Sequence, residues 1–153
     1  MSVGAATSGA ALYDVSVLLA LSWPRHEFHA QVRHWVTAHR GRGWATCTIT
    51  EAGFVRVSSQ PSTGLAQGLA QALLMLEKNC AQPDHVFWPM TVSITQILPE
   101  IRERIAGHQQ LTDALLLDLA IRNGGRLVTL DQRVTHLLPA NSPHRAALEV
   151  ISA

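Results

Sequence analysis

The feature that most limits what this chain can become is an alternation of short apolar, β-prone runs with longer stretches of helical spacing. "ALYDVSVLLAL" opens as a buried strand and passes into a helix near Asp14. "RHEFHAQVRHWVTAHRG" carries Phe28, Val32, Trp35 and Val36 at near-helical spacing and stops at Gly41 and Gly43. "GWATCTI" reads as a second strand, and "TEAGFVRVSSQP" as a helix capped by Thr50. "TGLAQGLAQALLMLEKN" predicts an amphipathic helix weakened by Gly68, and "HVFWP" a third strand stopped by Pro89. "SITQILPEIRERIAG" predicts helix made irregular by Pro99. Thr112 then caps "DALLLDLAIRNGG", which Asn123-Gly124-Gly125 ends, and "RLVTLD" and "ALEVIS" supply a fourth and a fifth strand. Strands separated by helices demand a parallel sheet covered on both faces. The expectation is therefore one α/β domain over residues 1–153, with residues 1–10 a loosely ordered start.

A hydrophobic share of 47% against 15% charged residues describes a compact chain with a substantial core. The formal charge of +1 excludes a global polybasic attraction to nucleic acid, so any such contact needs a local basic patch. Cys47 and Cys80 are too few for a disulfide framework and are expected to pack as reduced, small hydrophobes. No stretch reaches the roughly 20 apolar residues of a membrane span, and no basic leader precedes the first strand. A cytoplasmic protein without a membrane partner is expected.

In open parallel sheets, ligands bind at the C-terminal ends of the strands, where the strand order reverses. Acids fall at those ends. Asp14 closes the first strand, Glu51 follows the second, Asp131 follows the fourth, and Asp113 begins the helix leading to the fourth. Singly, each has a structural explanation: first-turn acids complement a helix dipole, and turn acids satisfy local amides. Together they would repel one another unless a hard divalent cation such as Mg²⁺ or Mn²⁺ joined them. Asp118, five residues beyond Asp113, is expected to face solvent or to support the others from outside.

"LYDVSVLLAL", "WATCTITEAGFVRV" and "GHQQLTDALLLDLAIRNGGRLVTLD" closely resemble the PIN-domain ribonucleases, especially the VapC toxins of bacterial toxin–antitoxin pairs. The resemblance runs from the first strand to the final "ALEVI", with Asp14, Glu51, the "TDA" Asp113 and the "T-x-D" Asp131 in the family's order. It departs at Ser16, where the family often has Asn. It implies a three-layer α/β/α sandwich around a parallel sheet of about five strands. It also implies a Mg²⁺-dependent endoribonuclease, with Mn²⁺ able to substitute, cleaving RNA through a metal-activated water. Asp14, Asp113 and Asp131 are the expected metal ligands, with Glu51 either a ligand through water or a general base. Thr129 and Ser16 would orient ligands or waters around them. Water as the nucleophile leaves a 5′-phosphate and a 3′-hydroxyl.

The RNA grip must come from basic side chains, and Arg25, Arg33, Arg40, Arg42 and Arg56 are the candidates, with Trp23 or Trp88 as stacking surfaces. His26, His29 and His34 lack a zinc-ligand spacing and are expected on a helix surface, while His108 lies close to Asp113 in sequence. The only lysine, Lys78, sits in a helix, which argues against phosphoryl-transfer folds that place a lysine beside a strand-end Asp. The rival of another class is a PIN-like RNA- or protein-binding module with weak or no catalysis. The toxin resemblance further implies a cognate antitoxin lying across the acidic cleft. It also implies a homodimer formed through helices, for which the apolar faces of 28–36 and 65–76 are available.

Overall fold

The computed structural model describes residues 9–39 and 41–152. Its strands are β1 (Ala11–Tyr13), β2 (Trp44–Thr46), β3 (His85–Phe87), β4 (Arg126–Thr129) and β5 (Leu148–Val150). They form a five-stranded sheet in the order β3-β2-β1-β4-β5, with every pairing parallel. From β1 the chain builds outward to β2 and β3, then returns to build β4 and β5 on the other side. The order therefore reverses at the β1/β4 seam, where a crevice opens beyond the strand ends.

The helices are α1 (Val15–Ser22), α2 (His29–Ala38), α3 (Thr48–Ser58), α4 (Leu69–Cys80), α5 (Pro99–Arg102) and α6 (Leu111–Arg122). Successive strand residues point to opposite faces, and this period of two divides the interior into two cores. Leu12, Ala45 and Leu127 pack with Leu116, Leu117 and Ala120 of α6 and Ile101 of α5. Ala11, Tyr13, Trp44 and Val128 pack with Val17 and Leu18 of α1, Val32 of α2 and Phe54 of α3. Phe28, Trp35 and Val36 face this second core, so the apolar face of 28–36 is turned inward. The result is the expected α/β/α sandwich.

Several boundaries differ from the sequence expectation, each for a local reason. Thr50 does not cap α3 but lies inside its first turn. The helix starts at Thr48, and the Thr50 hydroxyl accepts from the Cys47 amide at 3.0 Å, serving the helix start from within. Gly68 is not inside α4 but precedes it, at φ +156°, a conformation that side chains disfavour. Thr112 lies within α6, which continues from a 3₁₀ turn over 108–110. The Gln110 side chain accepts from Ala106 and Gly107 ahead of that turn. Pro99 occupies the first position of α5, where its missing N–H costs nothing.

Of the loosely ordered start expected over residues 1–10, residues 1–8 lie outside the described residues, as does Arg40. Gly9 donates to Gly124 O at 2.9 Å, and Ala10 is 1% exposed within the core. Among the described residues, no helix is long and apolar enough to cross a membrane.

Candidate active site

Asp14 caps α1, accepting from the Val15 amide at 2.7 Å, while its own amide bonds Val128 O at 3.0 Å. Its second oxygen accepts the Thr129 hydroxyl at 2.6 Å. The Thr129 oxygen in turn accepts from the Asp131 amide at 3.1 Å. The ends of β1 and β4 are thus joined across the seam by one buried threonine. Ser16 works on the same seam, its hydroxyl accepting from Leu130 N at 3.4 Å rather than touching a carboxylate. Gly53 lets α3 press against Val15, because a Cβ there would lie 2.6 Å from Val15 Cγ2. That contact sets the start of α1 against the middle of α3.

Asp113, in the first turn of α6, lines a cleft of about 530 Å³ with Gln109, Gln110, Asp131, Arg133, Val134 and Leu137. Burial, then the negative charges of Asp14 and Asp131, push the Asp113 carboxyl up to about 6. Burial also raises Asp14, against the lowering effect of Thr129. Asp131 goes the other way. Arg133 grips both of its oxygens, from Nε at 3.0 and 3.3 Å and from NH2 at 2.9 Å, and holds it below the usual carboxylate range. Arg133 is the cation the sequence reading missed; the only signal for it was its place two residues after Asp131.

Asp14, Asp113 and Asp131 thus lie within electrostatic reach of one another. Glu51, in the first turn of α3 just beyond neighbouring β2, belongs to a different set of contacts. Its Oε2 accepts from Thr46 Oγ1 at 2.6 Å and lies 4.0 Å from Cys80 Sγ, while Thr46 Oγ1 lies 2.8 Å from His85 Nε2. Burial lowers the His85 pKa and raises that of the Cys80 thiol. Cys80 is therefore half-buried among polar groups, not packed as a hydrophobe, whereas Cys47 is fully buried as expected.

The proposed grip residues fall elsewhere. Arg25 donates to Gly64 O beyond the far end of α1, and Arg33 is exposed on α2. Arg56 is in the last turn of α3, and Arg42 lies before β2, beside Gly9 and Arg126 at the N-terminal ends of the strands, opposite the acids. Neither tryptophan offers a stacking face. Trp88 is 1% exposed in the core, and Trp23 is buried with its indole N–H on Ser58 Oγ at 2.9 Å. Asp118 does not face solvent. At 5% exposure it accepts from the Leu98 amide at 2.9 Å and from Arg122 Nε at 2.8 Å, pinning the loop before α5 to α6. His108 is exposed and does not line the cleft; His29 bonds Ala20 O at 2.7 Å.

All-oxygen donors, one of them a carboxyl pushed up to about 6 first by burial and then by its acidic neighbours, fit a hard divalent cation. A parallel five-stranded sheet with acids of this kind at its switch point defines a class, and the PIN domain family model matches residues 11–137: the chain belongs to the PIN-domain family. Within it, the chain is similar to Ribonuclease VapC44 of Mycobacterium tuberculosis, at 43% identity over 140 residues, covering 90% of this chain and 99% of that one. Ribonuclease VapC39 of the same organism is 44% identical over 126 residues, covering 79% and 88%. Ribonuclease VapC38 is 46% identical over 125, covering 81% and 86%. The chain is a VapC-type PIN protein.

Proposed function

We propose that this chain is an endoribonuclease, the toxin of a VapBC-type pair, whose Asp14, Asp113 and Asp131 hold Mg²⁺, or Mn²⁺ in its place. The observation that carries this reading is the β1/β4 seam, where Thr129 joins Asp14 to the Asp131 amide and Asp113 and Asp131 line one cleft. When bound, the cation supplies the positive charge that activates the attacking water and offsets charge growing on the phosphodiester.

The rest falls to the chain's own residues. Thr129 and the Val15 amide fix the two oxygens of Asp14, so that carboxylate is already oriented. Asp113, mostly ionised above pH 6, would be held so by a bound cation, whose charge offsets the burial and the neighbouring negative charges that raise it. Arg133, 82% exposed at the cleft rim, exchanges its hold on Asp131 for a phosphate oxygen of the RNA. Glu51 approaches from the β2 side, as a ligand through water or as a base. Cleavage by water leaves a 5′-phosphate and a 3′-hydroxyl.

The resemblance to VapC ribonucleases supports RNA as substrate and a small antitoxin as partner, lying across the same acidic cleft. A homodimer is built through α4, where Leu69, Leu73 and Leu74 are 59%, 48% and 65% exposed. The working compartment is the cytoplasm. Incubating the purified protein with RNA in Mg²⁺, in Mn²⁺ and in excess chelator tests the reading. Cleavage with either ion, lost in chelator and not restored by zinc, is expected. Undiminished cleavage in chelator overturns the metal assignment, and RNA binding without cleavage overturns the nuclease in favour of a binding module.

A further inference from the structure

Beyond the acidic cleft, the described residues bring together one other set of chemically distinctive donors. A carboxylate oxygen of Glu51, the sulfur of Cys80 and a ring nitrogen of His85 all lie within 4.8 Å of one another. Glu51 stands in the first turn of α3, Cys80 ends α4 and His85 opens β3, so a short bend between α4 and β3 carries two of the three. We propose that Glu51, Cys80 and His85 form a second cation site, selective for Zn²⁺, and that its occupancy withdraws Glu51 from the RNA-cleaving acids.

The donor chemistry decides the metal. One sulfur, one imidazole nitrogen and one carboxylate oxygen make a borderline-soft set, which suits Zn²⁺ and ill suits Mg²⁺. Tetrahedral zinc, with bonds of about 2.3 Å to sulfur and about 2.0 Å to nitrogen or oxygen, needs donors roughly 3.3–3.6 Å apart. Small rotations of half-buried side chains close the present spacing to that. Three protein donors leave the fourth position to water. The support is already in place: the fully buried Thr46 hydroxyl, 2.6 Å from Glu51 Oε2, steadies the carboxylate, as groups behind metal ligands do. As the metal binds, Cys80 passes its thiol proton to solvent. Half-burial of all three donors leaves them open to loading from solution.

The binding half of this proposal stands on these donors alone; the inhibitory half rests on the nuclease reading. Co²⁺ separates them, because it replaces zinc in such sites and gives a thiolate charge-transfer absorption. Metal-free full-length protein titrated with Co²⁺ is expected to show that band saturating at one equivalent, erased by Zn²⁺ and unaffected by excess Mg²⁺. Cys80→Ser should lose the band and His85→Ala should weaken it, while Asp113→Asn and Cys47→Ala retain it. Melting curves verify that each variant is folded. No band in the folded wild type, a band surviving Cys80→Ser, or a band erased by Mg²⁺ overturns the site. In RNA cleavage with Mg²⁺, stoichiometric Zn²⁺ should abolish activity of the wild type and spare Cys80→Ser, whose activity without zinc is unchanged. Equal inhibition of both overturns the coupling. A wild type that cleaves no RNA removes the nuclease reading and the coupling together, while the cobalt spectrum still decides the site.

Discussion

Thr129 donates its hydroxyl proton to Asp14 at 2.6 Å and, with the same oxygen, accepts the Asp131 amide at 3.1 Å. One side chain thereby sets the spacing of two acids that lie far apart in the chain. Thr129→Val keeps the shape but leaves the part-buried Asp131 amide without its acceptor and Asp14 Oδ2 without its donor. A loss of about 1–3 kcal/mol of stability is expected, with a higher Mg²⁺ requirement for cleavage in the folded protein. Denaturant unfolding and a Mg²⁺ titration measure both; an unchanged Mg²⁺ requirement would mean that Thr129 does not orient Asp14.

Asp113→Asn should stabilise the metal-free protein while abolishing cleavage. The folded carboxyl titrates at about 6, above its ordinary 3.8, so ionising it opposes folding. That penalty is complete above about pH 6 and is relieved as pH falls towards 3.8. The shift corresponds to at most about 3 kcal/mol, and solvent screening at this half-exposed group reduces it to the order of 1 kcal/mol. Melting temperatures of variant and wild type should therefore differ at pH 7.5 and converge near pH 4. A destabilised Asn variant that still cleaves would remove Asp113 from the site.

Arg133→Ala frees both oxygens of Asp131 and lets its pKa return upwards. A cation then no longer competes with the guanidinium, so half-saturating Mg²⁺ should fall, while KM for RNA rises through loss of a phosphate contact. Steady-state cleavage across Mg²⁺ and RNA concentrations reads both, and movement of neither would make the pair a surface ornament.

Asp118→Ala tests the opposite kind of acid. At a residue 5% exposed, it leaves the Leu98 amide without its acceptor and Arg122 with only Gln96 O to bind. A cost of about 1–3 kcal/mol is expected, with specific cleavage per folded molecule retained. Cleavage lost without loss of stability would assign Asp118 to the chemistry after all.

Gly125→Ala brings a Cβ against Ala10 O and to 2.6 Å of Trp88 Cη2, between backbone and a fully buried ring. Neither neighbour can yield cheaply. A destabilisation of about 1–3 kcal/mol from overpacking is expected, visible as a lower melting temperature; an unchanged one would mean the α6–β4 turn adjusts freely.

The alternation of apolar strand runs with helical stretches was enough to establish a parallel sheet, and the strand ends were enough to nominate Asp14, Glu51, Asp113 and Asp131. Both are legible because they are local: side-chain period and a polar residue beside an apolar run are written in consecutive residues. Helix starts were less legible, since Thr50 and Thr112 have the chemistry of caps but lie inside their helices. There, strand pairing and the preceding 3₁₀ turn decide where the backbone first turns helical. Which acids meet was decided only by packing. Hydrogen bonds spanning 115 residues put Asp14 on Thr129, while Glu51 turned towards Thr46, Cys80 and His85. Asp118 reads like its neighbour Asp113, yet the loop before α5 folds over it and buries it. Sequence determines the chemical groups and their local geometry; the crossing of the chain from β3 back to β4 determines their neighbours. Charge, burial and metal affinity depend on neighbours.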